Sequence, residues 1–120
     1  MKLLIVDDSK VARMLIRSII AEYDNSIEIC EASNGLEATE VQKKESPDLT
    51  FLDLTMPVMD GFEALRIIKE NNINAVVIVL TADIQKKSVE KCMEMGAYKV
   101  LKKLPRKEEI HQILNTIRNR

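Results

Sequence analysis

DLTFLDLTMPVMDG, residues 48–61, sets a carboxylate directly after a short apolar run, then turns through Met-Pro and Asp-Gly. The run has the character of a buried parallel strand, which predicts a strand over Asp48–Leu52 with Asp53 just past its end. The rest reads as a loop, punctuated by proline and glycine. Two other apolar runs end in comparable fashion: KLLIV (2–6) is followed by Asp7 and Asp8, and YKVLK (98–102) by Lys103. In an open α/β sheet, ligands bind beyond the carboxyl ends of the strands, so these distant residues are expected to converge. Three carboxylates packed together repel and raise one another's pKa unless a cation lies among them. An all-oxygen cluster suits Mg²⁺, commonly held by one or two carboxylates with waters and phosphate oxygens. The chemistry implied is phosphoryl transfer onto a carboxylate, with the metal and Lys103 neutralising charge.

The remaining chain alternates strand and helix. A helix over Ser9–Glu22, capped by Asp8 or Ser9, is expected to face inward with Val11, Ala12, Leu15, Ile16, Ile19 and Ile20. Ile27–Ala32 reads as a partly exposed edge strand, and Asn34-Gly35 turns into a helix ending near Glu45, where Ser46-Pro47 breaks it. Phe62–Glu70 is a helix using Phe62, Leu65 and Ile67 or Ile68; Val76–Leu80 is wholly apolar and so buried on both faces. Ile84–Met95 is a helix turned inward through Val89, Cys92 and Met93 and stopped by Gly96. Tyr98–Lys102 is the last strand, and Arg106–Asn119 the last helix, with Ile110, Ile113, Leu114 and Ile117 at helical spacing. Such alternation requires right-handed crossovers and a parallel sheet covered on both faces: an α/β, doubly wound (βα)5 fold.

The 120 residues suit one domain, 1–120, with a single core. With 46% hydrophobic and 31% charged residues, disordered and membrane classes are excluded, and no run approaches the roughly 20 apolar residues of a membrane span. The first apolar stretch is too short for a signal peptide, and Cys30 and Cys92 lack metal-ligand spacing or a disulfide framework. A cytoplasmic location is expected. The net charge of −1 hides an asymmetry: residues 84–120 carry 10 basic and 4 acidic side chains, the preceding part 8 and 15. The basic part, with Lys86, Lys87, Lys91, Lys99 and Lys107, could face an acidic partner or be solvated surface. Nucleic acid is not expected, because aromatics make up only 3% and provide no stacking platform.

LLIVDDSKVAR, FLDLTMPVMDGFEAL, VIVLTAD and MGAYKVLKK together resemble the response-regulator receiver domains, most closely the single-domain chemotaxis type. The D-x-x-M-P-x-M-D-G segment after the third strand is the specific part of the match. The resemblance implies a flavodoxin-like five-stranded sheet of order 2-1-3-4-5, as the receiver type shows. It implies a two-component switch rather than an enzyme, without a fused output domain: a histidine kinase phosphorylates Asp53 in the presence of Mg²⁺, with Mn²⁺ as a substitute. By the same resemblance, Asp8, Asp53 and the Thr55 backbone carbonyl bind the metal directly and Asp7 largely through water. Thr81 approaches a phosphoryl oxygen, Lys103 pairs with the phosphoryl group, and Thr55 and Asp83 modulate its lifetime. The implied partners are the kinase, a protein target on the face of the fourth helix, fifth strand and fifth helix, and a phosphatase.

Two departures stand out. Leu104 follows Lys103 where the family has proline, commonly after a cis bond. A cis bond costs about 2.5–4 kcal/mol before a non-proline residue, so the loop is expected to take another path. Val100 occupies the position of the family's aromatic switch residue, and Tyr98 on the same strand face is a candidate substitute. Gly61 is expected to supply an unusual φ. His111, the single histidine, is expected on a helix surface. Thr55 stands where a haloacid dehalogenase needs a second aspartate, and Asp7 and Asp8 would repel the phosphate of a flavin carrier. A degenerate receiver that only docks partners is the remaining alternative.

Overall fold

The computed structural model describes residues 1–56, 58–82 and 84–120. Five strands and five helices alternate: β1 Lys2–Val6, α1 Lys10–Tyr23, β2 Glu28–Ala32, α2 Gly35–Glu45, β3 Leu49–Asp53, α3 Gly61–Asn71, β4 Val77–Thr81, α4 Lys86–Glu94, β5 Lys99–Lys102 and α5 Lys107–Arg118. The strands are parallel, in the order β2-β1-β3-β4-β5. The chain therefore reverses its direction of winding between β1 and β3, and a crevice opens beyond their carboxyl ends.

The continuous apolar runs follow from coverage on both faces. Leu3, Ile5, Phe51, Ile78 and Leu80 pack against Ile16 and Ile20 of α1 and Ile110, Ile113 and Leu114 of α5. Leu4, Val6, Leu52, Val77 and Val79 pack against Ala38 of α2, Ala64, Leu65 and Ile68 of α3 and Cys92 of α4. Each fully buried Leu, Ile or Phe contributes about 1.5–3 kcal/mol through apolar burial. β3 and β4 are buried throughout, whereas the flanking β2 and β5 expose Glu28, Lys99 and Lys102.

Local chemistry sets most helix starts. Ser9 Oγ accepts from Ala12 N at 3.2 Å, Asn34 Oδ1 from Glu37 N at 2.8 Å and Asp60 Oδ1 from Glu63 N at 3.0 Å. At α5 the Glu109 carboxylate accepts from the Arg106 N–H at 2.9 Å. α4 has no side-chain cap hydrogen bond and no acid in its first turn, and it begins at Lys86 rather than at Ile84. Gly96, at φ +100, ends that segment in a conformation unfavourable for a residue with a Cβ.

Several inward faces differ from expectation. On α1 the buried line is Ala12, Ile16 and Ile20, while Val11 (66%) and Leu15 (45%) are exposed. These two sit beside Ala82, Lys103 and Leu104 at the carboxyl edge of the sheet. Two helices share that face, so only the i, i+4 line pointing at the sheet is covered. On α4 only Cys92 is buried; Val89 is half-buried and Met93 exposed. Phe62 is half-buried, with Lys91 Nζ 4.2 Å from its ring centroid.

Candidate phosphoryl-transfer site

Asp7 follows β1, Asp53 ends β3, Thr81 ends β4 and Lys103 follows β5. Register brings their levels together: Val6 pairs with Leu52, Asp53 with Leu80 and Thr81 with Lys102. Asp7, Asp53 and Thr81 are buried, and Asp8 is exposed at the rim. Lys103 Nζ lies 2.8 Å from Asp7 Oδ2 and 3.2 Å from Asp53 Oδ2. Its backbone N–H donates to the Thr81 carbonyl at 2.8 Å, so Lys103 is held at both ends. Lys102, its neighbour, is exposed.

The backbone around the cluster is tied to the sheet. The Asp7 N–H donates to the Ala32 carbonyl at 3.1 Å, and Asp7 Oδ1 accepts from Ser9 N at 2.9 Å. Asp53 Oδ1 accepts from the Thr55 N–H at 3.3 Å; the Thr55 side chain is exposed. Gly61 packs onto this turn, and its N–H donates to the Leu54 carbonyl at 2.8 Å. A Cβ at position 61 would lie 2.4 Å from the Asp53 carbonyl oxygen. Close approach, rather than an unusual φ, is what demands glycine there. The positive φ in this loop belongs to Val58, at 70° and 78% exposed. A β-branched residue in that region costs about 1–3 kcal/mol.

The electrostatics are strained in favour of a cation. Burial, then the charge of Asp7, holds the Asp53 carboxyl above its usual pKa, only partly opposed by Lys103 and the Thr55 N–H. Burial acts to lower the Lys103 pKa, but its contacts with Asp7 and Asp53 outweigh this and the net is upward. One ammonium is thus shared by two buried carboxylates, with Asp8 beside them. Asp7, Asp8 and Asp53 can each offer an oxygen within 4.8 Å of the others. Asp7 Oδ2 is buried without a hydrogen bond of good angle; its contact with Lys103 Nζ is an ion pair. A hard, oxygen-only set, with two buried carboxylates sharing one ammonium and negative charge in excess, fits Mg²⁺.

Two expectations about the edges are corrected. The Lys103–Leu104 bond is cis, contrary to the expectation set by the non-proline residue that follows Lys103. Lys103 is placed by its tertiary contacts with Thr81, Asp7 and Asp53. Tyr98 cannot stand in for an aromatic at Val100. It bonds at the Val77 end of β4, four residues or roughly 13 Å of strand from Thr81. Val100 itself packs against the core cluster that includes Cys92. Asp83 lies outside the described residues. His111 is partly buried, its ring nitrogen 3.1 Å from the Ile19 carbonyl. Arg13 was not foreseen: its Nη1 donates to the Asp7 carbonyl at 2.6 Å. The available signal was an arginine in the second turn of a helix opposite Glu31 on the neighbouring strand.

A family model described as the response regulator receiver domain matches residues 3–115. Chemotaxis protein CheY of Bacillus subtilis is 36% identical over 118 residues, covering 98% of each chain. Its counterpart in Thermotoga maritima is 34% identical over 116 residues, covering 97% of this chain and 96% of that one. Among solved structures, the CheX–CheY–BeF3–Mg²⁺ complex from Borrelia burgdorferi matches with a TM-score of 0.89 at 30% identity. The match covers 97% of this chain and 87% of that one.

Proposed function

The chain belongs to the response-regulator receiver domain family, and on that premise we propose that it is a phosphorylation-controlled switch whose acceptor is Asp53. The observation that carries this reading is the contact of Lys103 with both Asp7 and Asp53, at the crevice where three carboxylates gather. An Asp53 carboxylate oxygen attacks the phosphorus of a phosphohistidine on the donor kinase. The new O–P bond forms as the P–N bond breaks, and the imidazole leaves with its electron pair and takes up a proton. Asp7, Asp8, Asp53 and the Thr55 carbonyl are the residues that would hold Mg²⁺, whose charge offsets that of the carboxylates and phosphoryl oxygens. Lys103 supplies the fixed counter-charge, and Thr81 the hydroxyl for a phosphoryl oxygen. Thr55 and Asp83 are proposed to control water entry and hence the lifetime of the acyl phosphate.

The phosphorylated form is proposed to bind a protein target through α4, β5 and α5, where Lys86, Lys87, Lys91 and Lys99 are exposed. The similarity to chemotaxis proteins supports a target in that kind of signalling. Among the described residues no helix is long and apolar enough to cross a membrane. Acetyl phosphate, a small donor needing no docking, tests the acceptor directly. Intact mass is expected to show one added phosphoryl group in Mg²⁺, lost with chelator and in Asp53→Asn. Equal labelling of Asp53→Asn would reject the assignment, and no labelling of the parent protein would favour a docking-only receiver.

A further inference from the structure

We propose that Arg13 is a positioning residue for the metal-binding turn, setting the direction in which the Asp8 carboxylate leaves the chain. This rests on the reading of Asp7, Asp8 and Asp53 as an Mg²⁺ site. Asp7 and Asp53 have contacts of their own with Lys103, and Asp7 also with Ser9 N. Among the described residues the Asp8 carboxylate makes no hydrogen bond or ion pair. Its placement within 4.8 Å of the other two therefore comes from the backbone.

The decisive peptide plane is the one joining Asp7 to Asp8. The Asp7 N–H continues the ladder to Ala32, but its carbonyl lies past the end of β1. Arg13 Nη1 takes that carbonyl at 2.6 Å, and the planarity of the peptide transmits the constraint to Asp8 N and Cα. The guanidinium is itself locked. Its Nε donates to Glu31 Oε1 at 2.8 Å, and Glu31 Oε2 is held by Arg17 at 2.7 and 3.1 Å. Glu31 pairs in register with Ile5 of β1, so the guanidinium bridges the ends of two adjacent strands. The Arg13 side chain is only 16% exposed, which limits the alternatives open to it.

A planar fork is needed for this, because one group must reach a carboxylate and a carbonyl at once. Arg13 also brings a positive charge towards a dication site, which by itself would weaken metal binding. Glu31, shared with Arg17, offsets only part of that charge, so the hydrogen bond to the Asp7 carbonyl has to outweigh the remainder. Arg17 provides an internal control: it has the same charge and the same Glu31, but no contact with the Asp7 carbonyl.

Calorimetric titration of Mg²⁺ into the unphosphorylated protein tests the idea without any turnover. Arg13→Ala is expected to weaken Mg²⁺ binding by about tenfold or more, the usual effect of losing an outer support of a metal ligand. Arg17→Ala is expected to change it by less than about threefold, as for an exposed ion pair. If Arg13→Ala does not give a folded far-ultraviolet spectrum, Arg13→Lys, which keeps the charge without the fork, is expected to show the same weakening. Wild-type affinity in a folded Arg13 variant, or an equal loss in Arg17→Ala, would overturn the proposal. Absence of binding by the parent protein would instead reject the metal site on which it rests.

Discussion

Asp53 occupies a position that works against stability when the crevice holds no cation. Its carboxyl is held above the ordinary pKa by burial and by Asp7, so the folded state retains this proton more tightly than the unfolded chain. The associated stability is present at low pH and falls as pH rises from the unfolded pKa through the raised folded one. Asp53→Asn keeps the shape and removes the charge. Without Mg²⁺ at pH 7 it is expected to be more stable by about 1 kcal/mol, or a few degrees in Tm. The gap should shrink as pH falls towards 4, and added Mg²⁺ should stabilise the parent protein more than the variant. Thermal melts that place Asp53→Asn below the parent at pH 7 would refute this account. The same residue shows how far a sequence reading reaches. Its position at a strand end was legible, but the pairing of its Oδ2 with Lys103, fifty residues away, required the sheet register.

Among the helices, α4 has the weakest support. It spans nine residues, buries only Cys92, has no side-chain cap bond and places Lys86 and Lys87 in its first turn, against the helix dipole. A segment of this kind can shift when a charge appears at the neighbouring crevice, with no aromatic side chain turning inward beside it. Gln85→Asp would add a capping oxygen and a favourable charge at its start. It is expected to stabilise the helix by about 1 kcal/mol and to slow amide exchange across Lys86–Glu94. Unchanged exchange there would mean that the helix start is not limited by its cap. The ends of α4 were hard to read from sequence because Ile84 and Met93 fit a helical pattern. Their exposure shows that the pattern had little surface to pack against.

Across the whole molecule, the charge asymmetry resolves into faces. Lys86, Lys87, Lys91 and Lys99 lie exposed on α4 and β5, whereas Lys107 is engaged with Glu22 of α1 and belongs to the fold. Target binding is therefore expected to weaken with salt, which screens exposed charges beyond about 8 Å at physiological strength, and with Lys87→Glu or Lys91→Glu. Binding of the phosphorylated protein to its target, measured at two salt concentrations, checks this. Should binding survive both changes and fail in Leu15→Asp, the target surface would be the exposed apolar ledge of α1 and Leu104 instead.

The sequence by itself determined the elements, the two-sided burial of β3 and β4 and the set of groups at their carboxyl ends. Period and residue chemistry act locally, and a strand buried on both faces must be apolar throughout. The resemblance pointed to Lys103, just past the last strand, and that is the side chain found against Asp7 and Asp53. Only the tertiary structure decided which apolar residues on α1 are covered, why Gly61 must lack a Cβ and where the loop after β5 runs. Those outcomes depend on what a second segment places against the first: α5 beside α1, the Asp53 carbonyl against Gly61, Thr81 and two carboxylates around Lys103. Arg13 illustrates the division. Its identity is a single letter in a helix, but its partners lie at the ends of β1 and in β2, which the parallel register alone brings side by side.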